Sequence, residues 1–144
     1  QLLTELDGLE SRGRVYVVAA TNRPELVDPA VLRPGRVDKL LYVPLPSPDD
    51  RVAILRAATR RATLSEDVDL EIIGRDARAE GFSGADLAAV VRDAGLAALD
   101  AGAAALTQAN FVGALGRVAP SVSRADAEAY AAADQRLRTR GRRS

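Results

Sequence analysis

A chain of 144 residues without an internal repeat has room for one compact domain, or for a half-domain joined to a small helical one. Apolar residues make up 47% but aromatics only 3%, and much of the apolar share is Ala, so the core is expected to be thin. Lys plus Arg balance Asp plus Glu at 20 each, giving no net field toward nucleic acid or an anionic membrane, and the absence of Cys and His removes disulfides, thiol nucleophiles, the usual zinc sites and imidazole chemistry.

Leu2, Leu3, Leu6 and Leu9 recur at helical spacing, with Gly8 placed to close the helix. The opening Gln-Leu-Leu carries no Met and already reads as the middle of a helix, so a segment of a longer protein is expected. Val15 to Thr21 is an unbroken apolar, β-branched run, the pattern of a strand covered on both faces in a parallel sheet. A second short strand is expected at 39–43, with the other partners of the sheet upstream. Asp28 followed by Pro29 suits a short helix that Pro34-Gly35 stops.

Pro44, Pro46 and Pro48 mark a stiff junction, and the domain boundary is set there: 1–46 as the α/β part, 47–118 as a helical part, and 119–144 as a C-terminal helix with a basic tail. Ser47 with Pro48 and two acidic residues starts a helix to about Arg60. Asp69 caps another, with Leu70, Ile73 and Ala77 inward. Ser83 and Asp86 form a capping-box start to the best amphipathic stripe, Leu87, Val90, Val91, Ala94 and Ala98. Ala101 to Ala105 reads as a loose connection. Thr107 starts a fourth helix around Phe111, and Ser123 with Asp126 a fifth with Ala127, Tyr130 and Leu137 inward. No apolar run approaches the about 20 residues of a membrane span, and no signal-peptide pattern is present.

Three places carry possible chemistry. Asn22 follows the apolar run, where ligands of open α/β sheets bind, and its neutral amide can orient a water or phosphate oxygen; capping the turn before Pro24 explains it as well. Arg33 and Arg36 flank the Pro34-Gly35 turn, and a held guanidinium pair matches a transferring phosphoryl group, while salt bridges to Asp28 or Asp38 are the plainer alternative. At Gly81-Phe82-Ser83-Gly84-Ala85-Asp86-Leu87 small residues permit close approach of a flat ligand, and a plain helix start accounts for them equally.

The strings TNRPELVDPAVLRPGRVDKLLYVPLP, RVAIL and GFSGADLAAVVRDA, in that order, resemble the Cdc48/p97 branch of the AAA ATPases over nearly the whole chain. Asp38-Lys39, the acidic stretch before GFSGADL and the closing APSVSRAD look most like the second ATPase module of the nuclear valosin-containing-protein-like ribosome-biogenesis ATPases. The resemblance implies an α/β fold class, the C-terminal part of a P-loop parallel-sheet subdomain followed by an all-α lid. It makes Asn22 the sensor that positions the attacking water, and Arg33 and Arg36 the arginine fingers that reach a neighbouring subunit's site. Asp7, Gly8 and Leu9 look like the inter-subunit signalling segment. Ile54 would pack on the adenine, with Gly84 and Ala85 lining base and ribose. Ala58 replaces a polar or His side chain that some relatives place near the ribose. ATP and Mg2+ are implied as ligands, with the Walker A and B residues that hold them upstream of Gln1. The implied partners are identical subunits in a hexameric ring and pre-ribosomal protein or ribonucleoprotein complexes, in the nucleus or nucleolus, without membrane or direct DNA binding; on this reading the segment alone is catalytically silent.

Other readings compete with ribosome assembly. A general Cdc48-type segregase in protein quality control fits the same residues, and otherwise a cytoplasmic setting. The membrane-anchored AAA proteases share GFSGADL but continue into a His-dependent zinc helix. A non-hydrolysing AAA-like interaction module would not need Asn22, Arg33 and Arg36. Nucleic-acid binding by Arg136, Arg138, Arg140, Arg142 and Arg143 lacks interleaved aromatics, and a solvated terminus explains the charge.

Overall fold

The computed structural model describes residues 16–23, 26–33, 35–37, 39 and 41–141, with side chains to Gln135. Two compact units divide the chain, Gln1–Val43 with Ala131–Ser144, and Pro44–Tyr130. Asp7, Gly8 and Leu9 lie outside the described residues.

In the first unit the expected strands do not form among the described residues. Residues 16–21 and 41–43 run without ladder partners, and Tyr16 and Val18 are 91% and 92% exposed. A run that is apolar on both faces becomes a strand only when neighbouring strands satisfy its N–H and C=O groups, and no described segment supplies them. The short helix expected after Asp28 is also replaced, by consecutive turns: Asp28 Oδ1 accepts from the Ala30 N–H at 2.8 Å, Asp28 O from Val31 at 2.9 Å, and Pro29 O from Leu32 at 3.2 Å. Pro34 and Gly35 leave too few residues for a nucleated helix.

The second unit is a small helical assembly. Helix α1 (Pro48–Ala58) starts at a full capping box, in which Ser47 Oγ accepts from the Asp50 N–H and the Asp50 carboxylate accepts from the Ser47 N–H. It stops two residues short of Arg60, with Thr59 leaving helical geometry as its C-cap and its hydroxyl donating to Leu55 O at 2.8 Å. Helix α2 (Leu70–Arg75) is capped by Asp69, as expected, but Asp76 breaks it into a 3-10 turn, Ala77–Ala79. The break rotates the face: Ala79, fully buried, takes the inward place expected for the exposed Ala77. Helices α3 (Gly84–Asp100) and α4 (Gln108–Arg117) carry the other two capping boxes, Ser83 with Asp86 and Thr107 with Asn110.

Both phenylalanines of the chain, Phe82 and Phe111, are buried in this unit, joined by Leu55 of α1, Ile73 of α2, and Leu87 and Val90 of α3. Helix α1 packs on α2 and α3, and α3 on α4. The α1–α2 contact is close enough to require glycine: a Cβ at Gly74 would stand 2.6 Å from Val52 Cγ2 and 2.9 Å from the Val52 nitrogen. The buried Arg51 seals the same contact, its Nε donating at 2.8 Å to Gly74 O, one of the carbonyls left open at the end of α2.

The segment after α3 is ordered rather than loose. Gly102 (φ 66°) donates to Leu99 O and Ala103 to Ala98 O, both at 2.9 Å, a Schellman closure. Leu106 then pairs in parallel with Leu64, and two 2.9 Å hydrogen bonds, Ser65 N to Leu106 O and Leu106 N to Thr63 O, tie the two connections together. Helix α5 (Arg124–Gly141) starts where Ser123 accepts from the Asp126 N–H at 3.1 Å, and Ala127 and Tyr130 are half-buried there. Among the described residues no helix is long and apolar enough to cross a membrane.

Candidate functional site

The candidate residues fall into two groups, one in each unit. In the first unit the turn over 28–37 closes on itself. Val37 N–H donates to Val31 O at 3.2 Å, Arg36 N–H to Arg33 O at 3.2 Å, and Gly35 has φ 86°, which lets the chain reverse without a Cβ clash. The pair then divides its work. Arg36 is half-buried, its Nη1 donating to Ala30 O at 2.8 Å across the turn, so it braces the loop from within. Arg33 lies exposed beside the reversal. Of the salt bridges weighed for the pair, none to Asp28 forms among the described residues. Asn22 is exposed in a bend held by the Arg23 N–H on Thr21 Oγ1 at 2.9 Å.

In the second unit, Ile54 is half-buried on α1 and packs against the core. Gly84 and Ala85 are the first two residues of α3, and both are exposed. Phe82, immediately before the cap, and Leu87, four residues after it, both enter the core, a hydrophobic staple that fixes how the chain enters the helix. A Cβ added at Gly84 would meet nothing within 4 Å. Among the described residues no packing therefore demands glycine there, and the open space above Gly84 admits a flat group against the backbone. Ala58 is exposed at the end of α1.

Below this turn lies an arrangement that spacing alone did not reveal. Asp86 is 6% exposed, and one oxygen, Oδ2, collects four donors: Ser83 N at 2.8 Å, Ser83 Oγ at 2.8 Å, Ser121 N at 3.1 Å and Ser121 Oγ at 3.0 Å. Burial pushes the carboxyl up, but the backbone and hydroxyl donors of Ser83 and Ser121 together outweigh it and hold Asp86 below the usual carboxylate value. The capping pattern announced half of this site, Ser83, while Ser121 is 35 residues away and has no periodic signal linking it to α3.

A shallow groove at the far end of α3, between Asp93, Leu96, Asp100 and Arg117, is crossed by the Arg117–Asp93 ion pair at 2.6 Å. Asp93 stands about 14 Å along the helix from Gly84, so the groove is separate from the Gly84 turn. Among the described residues no three Asp or Glu converge as a metal-binding group.

Comparison with known proteins gives these places a family context. The model of the ATPase family associated with various cellular activities (AAA) matches residues 1–45, and that of the AAA+ lid domain matches residues 67–113. The chain is similar to the Putative ribosome biogenesis ATPase nvl of Dictyostelium discoideum, 47% identical over 137 residues, covering 90% of this chain and 16% of that protein. It is similar to Nuclear valosin-containing protein-like of Mus musculus, 48% identical over 151 residues, covering 95% and 18%. It is also 48% identical over 118 residues to the Proteasome-activating nucleotidase of Methanothermobacter thermautotrophicus, covering 82% and 28%. The chain thus spans less than a fifth of the length of the first two. With a AAA match over the arginine turn and a lid match over the Gly84 turn, the chain belongs to the AAA ATPase family.

Proposed function

We propose that this chain is the sensing and lid end of an ATPase module whose parent protein couples ATP hydrolysis to the remodelling of protein complexes, with pre-ribosomal particles in the nucleus or nucleolus as cargo. The cargo and location rest on the names of the relatives, a ribosome biogenesis ATPase and a nuclear valosin-containing protein-like protein. In this reading the exposed run from Tyr16 to Thr21 is one strand of a parallel sheet completed by other parts of the parent, residues 47–118 form the lid, and 119–144 a C-terminal helix and tail. Mg2+, when bound, would neutralise charge on the phosphates, and the residues that would hold it and the phosphates are assigned to the family's Walker segments rather than to this one.

The roles of this chain's residues follow from charge and reach. Ile54 supplies an apolar edge for the adenine, while Gly84 and Ala85 let the backbone approach base and ribose. Asn22 orients the attacking water with a neutral amide that costs little to desolvate. Arg33 stabilises charge on the phosphoryl group held by the adjoining subunit, and Arg36 holds the turn that presents it. An arginine serving a neighbour's site is a head-to-tail contact, which closes into a ring, here a hexamer of identical subunits. Asp7, Gly8 and Leu9 are assigned the relay between subunits. The segment by itself, lacking a phosphate-gripping loop, is assigned no turnover.

The observation that carries this reading is the self-braced turn with Arg33 facing out. Arg33→Ala in the full-length protein is the clean test, because Arg36→Ala also removes the brace on Ala30 O. The expected result is a kcat lowered about 1,000-fold with nucleotide affinity within about twofold, since the side chain acts on a site in trans. Normal turnover would remove the finger assignment. Similarity to the proteasome-activating nucleotidase favours a general unfoldase as the second reading; recovery of pre-ribosomal proteins on the ATP-trapped parent separates the two.

A further inference from the structure

We infer that Ser121 is a positioning residue for the nucleotide-lining turn: through the buried Asp86 carboxylate it fixes Gly84 and Ala85 in the orientation that receives the base and ribose. This rests on the assignment of Gly84 and Ala85 proposed above.

The geometry supporting it is specific. A helix N-terminus needs only its cap, and here the reciprocal Ser83–Asp86 box already supplies one. Asp86 Oδ2 nevertheless takes two more donors from Ser121, and the two serine hydroxyls stand 3.2 Å apart on the same carboxylate. A carboxylate oxygen buried this far must be well supplied with donors, and without Ser121 it would keep only the two from Ser83. Gly84 and Ala85 lie between Ser83 and Asp86, both are exposed, and among the described residues nothing stands within 4 Å of a Cβ built on Gly84. The carboxylate therefore holds their turn from below, beside the Phe82–Leu87 staple, and Ser121 supplies two of its four donors. Ser121 is also only two residues before Ser123, the residue that caps α5, so the start of the C-terminal helix is tied to the lid turn by a short and hydrogen-bonded path.

The test uses the full-length protein with three substitutions, each followed by steady-state ATPase kinetics, binding of a fluorescent ATP analogue, and amide hydrogen exchange at 83–87. Ser121→Ala retains the backbone donor and loses the hydroxyl, so the fold persists, which circular dichroism melting verifies. It is expected to raise KM and the analogue's Kd about three- to tenfold, to leave kcat within about twofold, and to speed exchange in the Gly84 turn. Ser121→Thr keeps the hydroxyl and is expected to restore all three. Ala85→Leu puts bulk where the ribose would lie and tests the underlying assignment independently, with a large rise in KM expected. If Ala85→Leu weakens nucleotide binding while Ser121→Ala leaves KM and exchange at the parental values, the role of Ser121 is overturned and the lining assignment stands. If Ala85→Leu changes nothing, the lining assignment fails and the Ser121 inference fails with it.

Discussion

Two glycine-to-alanine substitutions in the helical unit should act in opposite directions, because one glycine is packed against backbone and the other faces open space. At Gly74 the added methyl would sit 2.6 Å from Val52 Cγ2 and 2.9 Å from the Val52 nitrogen, and the second of these is backbone that cannot rotate away. Overpacking of this kind costs about 1–3 kcal/mol. Separating α1 from α2 to relieve it also stretches the 2.8 Å Arg51–Gly74 hydrogen bond, worth about 1 kcal/mol. Better helix propensity returns about 1 kcal/mol, leaving a net loss near 2 kcal/mol. Gly84 has open space and an ordinary helical conformation, so its alanine restricts only the unfolded chain and stabilises by about 0.4–1 kcal/mol. Urea unfolding followed by far-ultraviolet circular dichroism reads both. With a slope near 1 kcal/mol per molar, the midpoint should fall by about 2 M for Gly74→Ala and rise by about 0.4–1 M for Gly84→Ala. Equal losses in the two variants would refute the packing argument. In the full-length protein Gly84→Ala should then show a higher melting temperature together with weaker nucleotide binding, a combination that a purely structural glycine does not produce.

Acid should destabilise the helical unit over a defined window. Asp76, paired with Arg78, is drawn down to about 2 by the guanidinium and backbone bonds, so its contribution is lost as pH falls from about 4 toward 2, and Asp86, held below the usual carboxylate value by its Ser83 and Ser121 donors, loses stability in the same direction as acid is added. Urea midpoints across this range measure it: Asp86→Asn should be less stable at pH 7 and show a shallower acid slope, and an unchanged slope would exclude Asp86 as a contributor. Arg51→Met should lower stability by about 1–2 kcal/mol through loss of the Gly74 carbonyl's donor, and Arg51→Lys should not restore it because the bond is made by Nε; full recovery with Lys would show that charge alone matters.

The helical unit was largely legible because its signals are local. Ser47, Asp69, Ser83, Thr107 and Ser123 each stand where a helix begins, since a side-chain acceptor three residues from its donor is written in adjacent positions. Endings were less legible. The Asp76 break and the Schellman closure at Gly102 depend on which carbonyls remain open after packing, and the face rotation that buries Ala79 follows from the first of these. The strands stand apart for a different reason: periodicity reports what a segment is suited to pair with, and the run from Tyr16 to Thr21 has no partner among the described residues. In the candidate site, the arginine turn and the Gly84 turn were visible as short strings. The unequal parts of Arg33 and Arg36, and the meeting of Ser121 with Asp86, required the chain to be folded.

The uncovered apolar run has a practical consequence. Tyr16 and Val18, and farther on Leu41 and Val43, offer bare hydrophobic side chains beside backbone donors and acceptors that no ladder among the described residues occupies. Such a stretch is a template for pairing with an identical stretch on another molecule. Prepared in isolation, the segment should self-associate through 16–21 as its concentration rises, and a lysine at Val18 should keep it dispersed without disturbing the helices that carry the lid.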